Sequence, residues 1–167
     1  RMFHGLYGTP VVLVRLFMTY GPGQAPDKVL PYTILSLLRG APPRLSGGER
    51  PLDWIYVDDV VEAFVRIAQA PGLEGTTIDV GSGEAAPLRA VVRQIVDLVA
   101  PSIEPLFGEL PDRPFNGART ADVATTYARL GWSPTTSLSA GLRRTVEWYR
   151  TRQDGPAGIP GGQGCRP

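Results

Sequence analysis

The sequence has 167 residues, 43% of them hydrophobic and 20% charged, enough for one domain with a real core and too few for two comfortable ones. A net charge of +1 supplies no bulk field for nucleic acid or an anionic membrane surface. A single cysteine, Cys165, excludes an intramolecular disulfide and a cysteine-rich zinc site.

No apolar run reaches membrane-spanning length and the first residues carry no signal-peptide pattern, so a cytoplasmic, soluble domain with neither nucleic acid nor membrane as partner is expected. Lys28 is the only lysine; the remaining cations are arginines, which suit anion binding better than general-base work.

Taken in chain order, Arg1 to Gly8 has apolar residues at helical spacing and a glycine at its end, so it reads as the last turns of a helix. Val11 to Phe17 is a continuous apolar, β-branched run, the signature of a strand buried on both faces. It leads into the loop Tyr20-Gly-Pro-Gly-Gln24. Leu30 to Leu38 is helical, closed by Gly40. Arg44-Leu-Ser46 is short and β-like, Ser46 to Glu49 is a turn, and Leu52 to Val57 alternates like a strand.

Asp58 is the expected cap of a helix from Asp59 to Ala70, ended by Pro71-Gly72. Thr76 to Val80 reads as a strand, Pro87 to Val99 as a helix with proline at its first position, and Ile103 to Phe107 as a strand. Helices follow over Val123 to Leu130 and Leu138 to Tyr149. From Gln153 onward a Gly/Pro-rich stretch is tail-like. The organisation is thus a folded part over 1–150 and a flexible tail over 151–167. Strands alternating with helices give an α/β fold.

Gly81-Ser-Gly-Glu-Ala-Ala86 follows a strand and precedes a helix, the outline of a dinucleotide-binding fingerprint. Three details oppose that reading. The preceding strand contains Thr76, Thr77 and Asp79 rather than apolar residues alone. Pro87 sets the helix start back from where a pyrophosphate would lie. Glu84 places a negative charge inside the loop. A tight strand–helix connection is the expectation.

Three motifs then point one way. Arg15-Leu-Phe-Met-Thr-Tyr-Gly-Pro-Gly-Gln24, Leu52-Asp-Trp-Ile-Tyr-Val-Asp-Asp-Val60 and Ile78-Asp-Val-Gly-Ser-Gly-Glu84 resemble the second half of NAD-dependent nucleotide-sugar epimerases and dehydratases, the extended short-chain dehydrogenases/reductases. Leu130-Gly-Trp-Ser-Pro134 and Gly141 to Tyr149 are similar to that family's closing segment, so the resemblance covers about residues 1 to 150.

The resemblance implies the C-terminal part of a Rossmann-like fold lacking the N-terminal cofactor-binding half. The family's front half carries a glycine-rich loop and a Tyr-x-x-x-Lys pair, in which tyrosine is the acid or base. Here the sole lysine has Gln24 at the matching position. By resemblance, residue 1 falls just after the tyrosine–lysine helix. The expectation is a fragment or truncated gene product that carries no catalytic residue and no metal. NAD or NADP would belong to the complete enzyme, with none bound tightly by this chain alone. Implied partners are a nucleotide-sugar substrate, the missing N-terminal half and, for an exposed apolar helix such as Met2, Phe3 and Leu6 form, a second copy in a homodimer.

For the substrate, the resemblance implies Arg113 and Arg119 as phosphate or ribose contacts, each with a solvated loop arginine as the alternative. It places Lys28 near the nucleotide, with a surface lysine at a helix start as the alternative, and Leu45, within Arg44-Leu-Ser46, along the base through backbone contacts. Leu16, Phe17 and Met18 would face the nicotinamide at a strand end, where open α/β sheets bind ligands; as apolar residues they also suit a core.

Two positions depart from the family pattern. Leu52 stands where many relatives have a phosphate-binding arginine, which Arg50, two positions earlier on an alternating strand, would replace. Met18 stands where relatives often have asparagine. These departures keep open a reductase or dehydrogenase acting on a non-nucleotide carbonyl compound. A non-catalytic binding fragment is a third reading. Asp58-Asp59 reads as a helix-capping pair rather than a catalytic one, His4 has no visible ligand partners, and Trp54 and Trp132 read as packing residues.

Overall fold

The computed structural model describes residues 2–112, 117 and 119–153. Its elements in order are α1 (Met2–Tyr7), β1 (Leu13–Leu16), β2 (Met18–Tyr20), α2 (Val29–Leu38), β3 (Arg44–Leu45), β4 (Pro51–Tyr56) and α3 (Val57–Gln69). They continue with β5 (Thr77–Val80), β6 (Ala85–Pro87), α4 (Leu88–Val99), β7 (Leu106–Phe107), α5 (Val123–Leu130) and α6 (Leu138–Gln153). β1 pairs with β5 and β3 with β7, both in parallel, and β2, β4 and β6 form a sheet in the order β2-β4-β6. The fold is α/β, as expected. Among the described residues no helix is long and apolar enough to cross a membrane.

The chain divides into two compact units. The first comprises Arg1–Thr19, Leu52–Ala85 and Ala118–Thr136; the second Tyr20–Pro51, Ala86–Gly117 and Ser137–Pro167.

The first unit is built on the β1–β5 pair, in the register Leu13↔Thr77 to Leu16↔Val80. Its core contains Ile55, Val60, Ala63, Ile67, Ile78, Val80 and Trp132, with Val12 and Val14 packed against it. On α3 the buried residues Val60, Ala63 and Ile67 recur at helical spacing.

Two expectations are corrected here. β1 is not buried on both faces: Leu13 and Leu16 are 47% and 48% exposed, whereas Val12 and Val14 are packed against the core. Asp58 does not cap α3. The helix starts at Val57, its N-cap is Tyr56 without a side-chain cap, and Asp58 and Asp59 lie in the first turn, where their charge favours the positive helix end. Asp59 is buried and reaches off the helix to accept hydrogen bonds from Thr135 N and Oγ1 and from Thr136 N at 3.0–3.1 Å.

α5 has both ends closed. Asp122 accepts from Thr125 N at its start, and Gly131, at φ 59°, donates to Tyr127 O at its end. α1 likewise ends at Gly8, whose N–H reaches His4 O, and its Met2, Phe3, Leu6 and Tyr7 are exposed.

In the second unit α2, α4 and α6 pack on one another. They bury Leu30, Ile34 and Leu37 from α2, Val91, Val92 and Ile95 from α4, and Leu142, Val146 and Tyr149 from α6. Pro87 is the N-cap of α4 rather than its first residue. β6 has no counterpart in the sequence reading. α6 runs to Gln153, so residues 151–153 of the expected tail are helical; the rest of that tail and Cys165 lie outside the described residues. Tyr149 donates to Gln24 O, and Tyr20 to Leu138 O. Burial pushes the Tyr149 phenol up to about 12.

Candidate functional site

In the first unit the Gly-x-Gly turn is organised by a carboxylate. β4 carries Asp53 into the interior, 2% exposed. Its Oδ1 accepts from Ser82 N at 2.6 Å and Ser82 Oγ at 2.7 Å; its Oδ2 accepts from Gly83 N at 3.0 Å and Ala121 N at 2.8 Å. These hydrogen bonds satisfy a buried charge that would otherwise be costly.

The glycines serve that arrangement. A Cβ on Gly81 would lie 2.7 Å from both Asp53 Oδ2 and Ala121 Cβ and 3.0 Å from Phe17 Cδ2, and Gly83 has φ +80°. The N–H groups that a phosphate loop aims at a pyrophosphate are occupied by Asp53. Gly81 to Glu84 is therefore a packed turn, and it leads into β6 (Ala85–Pro87) rather than directly into a helix as expected.

Beside this turn, Arg15 Nε lies 3.3 Å from Asp79 Oδ1, and Asp79 Oδ2 accepts from Asp122 N at 3.3 Å. The Thr125 hydroxyl and then its backbone N–H hold the Asp122 carboxyl below its ordinary value, with Arg129 adding to the same direction. The three residues expected to face the nicotinamide run from the end of β1 (Leu16) to the start of β2 (Met18). Phe17 is half-buried with its N–H on Val80 O at 3.1 Å, while Leu16 and Met18 are exposed, Met18 by 38%. Arg119 is also exposed in this unit.

The second unit holds the other candidates. Lys28 supplies the N-cap position of α2, with its ammonium 4.0 Å from Asp27 and largely exposed. Leu45 is buried, and its carbonyl accepts from Leu110 N at 3.2 Å. Arg50 is exposed, and its carbonyl accepts from Leu88 N at 3.3 Å. Arg113 lies outside the described residues.

Leu45 and Arg50 flank a Gly47-Gly48 segment that is irregular backbone where a turn is expected, and it is held by Asp112 and Arg89. Asp112 Oδ1 accepts from Gly47 N at 3.0 Å. Arg89 donates from its backbone to Gly48 O at 2.9 Å and from Nη2 to Gly47 O at 2.8 Å. The Arg89 guanidinium also stacks 4.2 Å above the Phe107 ring, with Nε 2.7 Å from Glu49. The only sequence signal for these partners was an Asp and an Arg beside turn or helix-start positions, which is too common to single out.

Among the described residues, no group of three or more His, Cys, Asp or Glu is placed to hold a metal. His4 Nδ1 lies 2.9 Å from Thr9 O. Trp54 and Trp132 are core residues, 4% and 1% exposed.

The fold matches Rossmann-like structures of extended short-chain dehydrogenases/reductases. UDP-glucose 4-epimerase from Thermotoga maritima, solved with UDP-glucose, superposes with a TM-score of 0.81 at 27% identity over 90% of this chain and 49% of that one. UDP-glucuronic acid 4-epimerase from Bacillus cereus, solved with UDP-glucuronic acid and NAD, gives 0.80 at 26% identity over 90% and 48%.

The family model described as NAD dependent epimerase/dehydratase matches residues 1–81. A dTDP-glucose 4,6-dehydratase of Xanthomonas campestris is 33% identical over 169 residues, which are 95% of this chain and 48% of that protein. The chain spans about half the length of the curated relatives it matches. Together these likenesses support the NAD-dependent epimerase/dehydratase family.

Proposed function

We propose that the chain is the substrate-binding portion of an NAD(P)-dependent nucleotide-sugar epimerase or dehydratase, with hydride and proton transfer supplied by an N-terminal half. The observation that carries this reading is the Asp53 carboxylate on Ser82 and Gly83. The glycine turn in hand already has its partners, so a cofactor pyrophosphate needs a different glycine loop.

In this reading Leu16, Phe17 and Met18 line the nicotinamide side, and Lys28, Leu45, Arg50, Arg113 and Arg119 serve the nucleotide diphosphate. Arginine is suited to that task because its planar fork matches phosphate oxygens. NAD or NADP, its nicotinamide lined by Leu16, Phe17 and Met18, would supply the hydride acceptor and donor for reversible oxidation of a sugar carbon.

The test is to express this chain joined to the segment encoded upstream and supply NAD with UDP- or dTDP-sugars. Conversion of a nucleotide-sugar is expected; a joined protein that binds NAD and leaves every nucleotide-sugar unchanged contradicts the reading.

A second reading, an oxidoreductase of the same fold acting on a non-nucleotide carbonyl compound, is favoured by Leu52 and Met18, neither of which offers a useful phosphate donor. Arg119→Ala in the joined enzyme separates the two. A raised KM for nucleotide-sugars fits the first, and an unchanged KM fits the second.

A further inference from the structure

A groove of about 630 Å³ lies along α6, beside the end of α4, within the second unit. Its apolar lining is Leu98 on the last turn of α4, with Val146 and the half-buried Trp148 on α6. Its charged lining is mostly cationic: Arg143, Arg144 and Arg150 stand against one carboxylate, Glu147. The whole chain carries a net charge of only +1, so positive charge is concentrated here.

Several of these groups are held in place. The Trp148 ring meets the buried Tyr149 ring edge-on, with 4.8 Å between centroids, and the Arg152 guanidinium stacks 4.0 Å from its centre. Arg150 donates from Nη2 to Leu98 O at 3.2 Å, which anchors its guanidinium on the last turn of α4. Arg150 Nη1 also lies 3.5 Å from Glu147 Oε2, in a pair whose side chains are 44% and 63% exposed. So exposed an ion pair is worth little, and an incoming carboxylate can exchange with Glu147 at small cost.

The spacing selects the kind of ligand. Arg143 and Arg150 are two helical turns apart, about 10 Å along the axis, which is too far to close on one phosphate group. That distance is about the rise of three residues in an extended peptide. Arginine forks match carboxylates, and arginine and tryptophan are enriched at the energetic centres of protein interfaces. We infer that this groove docks an acidic peptide segment of a partner protein, with carboxylates on Arg143, Arg144 and Arg150 and an apolar side chain against Leu98 and Trp148. No residue of the nucleotide-sugar reading lines the groove, so the two are tested separately.

The experiment titrates the full chain with a labelled synthetic peptide that alternates glutamate with leucine, followed by fluorescence anisotropy and by tryptophan emission. Trp54 and Trp132 are buried, so a change in emission reports on Trp148. Expected is saturable binding that weakens as salt rises and is lost when glutamine replaces glutamate in the peptide. Affinity should fall roughly tenfold or more when Arg143→Ala and Arg144→Ala are combined, and likewise in Trp148→Ala. Glu147→Gln should bind the peptide more tightly, because it removes the competing carboxylate. Arg143, Arg144 and Glu147 are exposed, so their variants should keep the wild-type thermal midpoint. The inference is overturned by no saturable binding at millimolar peptide, by equal binding of the double arginine variant, or by tighter binding of single-stranded DNA than of the peptide.

Discussion

Asp53 Oδ1 lies 2.6 Å from the Ser82 amide nitrogen, so a side chain from β4 occupies an N–H of the turn that follows β5. This one contact separates a turn that resembles a nucleotide loop in sequence from one that works as a nucleotide loop. A phosphate cradle needs unpaired N–H groups and no competing negative charge. Here the negative charge is built in, as a buried carboxylate with four protein donors.

Replacing Asp53 with alanine removes the acceptor of three backbone N–H groups, on Ser82, Gly83 and Ala121. Unsatisfied buried donors cost about 1–3 kcal/mol each before relaxation, so a loss of about 3 kcal/mol or more is expected. A urea midpoint measured by circular dichroism checks it. Asp53→Asn, which keeps one acceptor oxygen, should lose less.

Gly81→Ala tests the packing directly. Its new methyl group would sit 2.7 Å from Asp53 Oδ2 and from Ala121 Cβ, and overpacking of this kind costs about 1–3 kcal/mol. The same substitution at Gly72, where nothing lies within 4 Å but φ is +74°, should cost only the backbone strain of about 1 kcal/mol. Comparing the two unfolding midpoints distinguishes steric conflict from backbone conformation.

The Asp122 carboxyl is held below its ordinary value of 3.8, chiefly by the Thr125 hydroxyl. A depressed carboxylate contributes stability that is present above the unfolded value and lost as pH falls through the folded one. The α5 cap should therefore persist at pH 5 and be lost in acid below about pH 4. A carbon-detected NMR titration of the Asp122 side chain should give a midpoint below 3.8, moving upward in Thr125→Val.

Tyr149 behaves in the opposite sense. Its phenol is raised to about 12 by burial, so the folded state keeps a proton that the unfolded chain loses near its ordinary 10. Stability from this group is complete below about pH 10 and falls between about pH 10 and 12. Tyr149→Phe should flatten that alkaline limb. It should also cost about 1 kcal/mol at neutral pH, for the lost hydrogen bond to Gln24 O. Denaturant midpoints measured from pH 7 to 11 check both.

Much of the fold was legible because it is local. The helices expected over 59–70 and 123–130 and the short β-like stretch Arg44-Leu-Ser46 reappear as α3, α5 and β3 (Arg44–Leu45). Asp122, the cap of α5, sits just before the predicted helix start. What was not legible depends on residues far apart in sequence. Asp53 meets Ser82 and Ala121 across 29 and 68 positions, and Asp112 meets Gly47 across 65.

The expected Asp58 cap failed because the chain turns helical two residues earlier, leaving that carboxylate inside the first turn and sending its neighbour Asp59 to Thr135. The β1 reading failed because hydrophobicity alone cannot say whether a layer packs on each face of a strand. Leu13 and Leu16 carry the composition of a two-sided core strand but are about half exposed. Among the site candidates, the resemblance picked out Leu45 and Arg50 beside the Gly47–Gly48 segment, but no local pattern could reveal Arg89 and Asp112 as the groups that hold it.

The most direct test of the central claim is an amide NMR titration of this chain with UDP-glucose, dTDP-glucose and, separately, NAD. Shifts at Lys28, the Leu45–Arg50 segment, Arg113 and Arg119 on adding a nucleotide-sugar, with the Ser82 and Gly83 amides unmoved by NAD, are predicted. NAD-induced shifts at Ser82 and Gly83 that disappear in Gly81→Ala would contradict it, because they would show the dinucleotide displacing Asp53 from the turn.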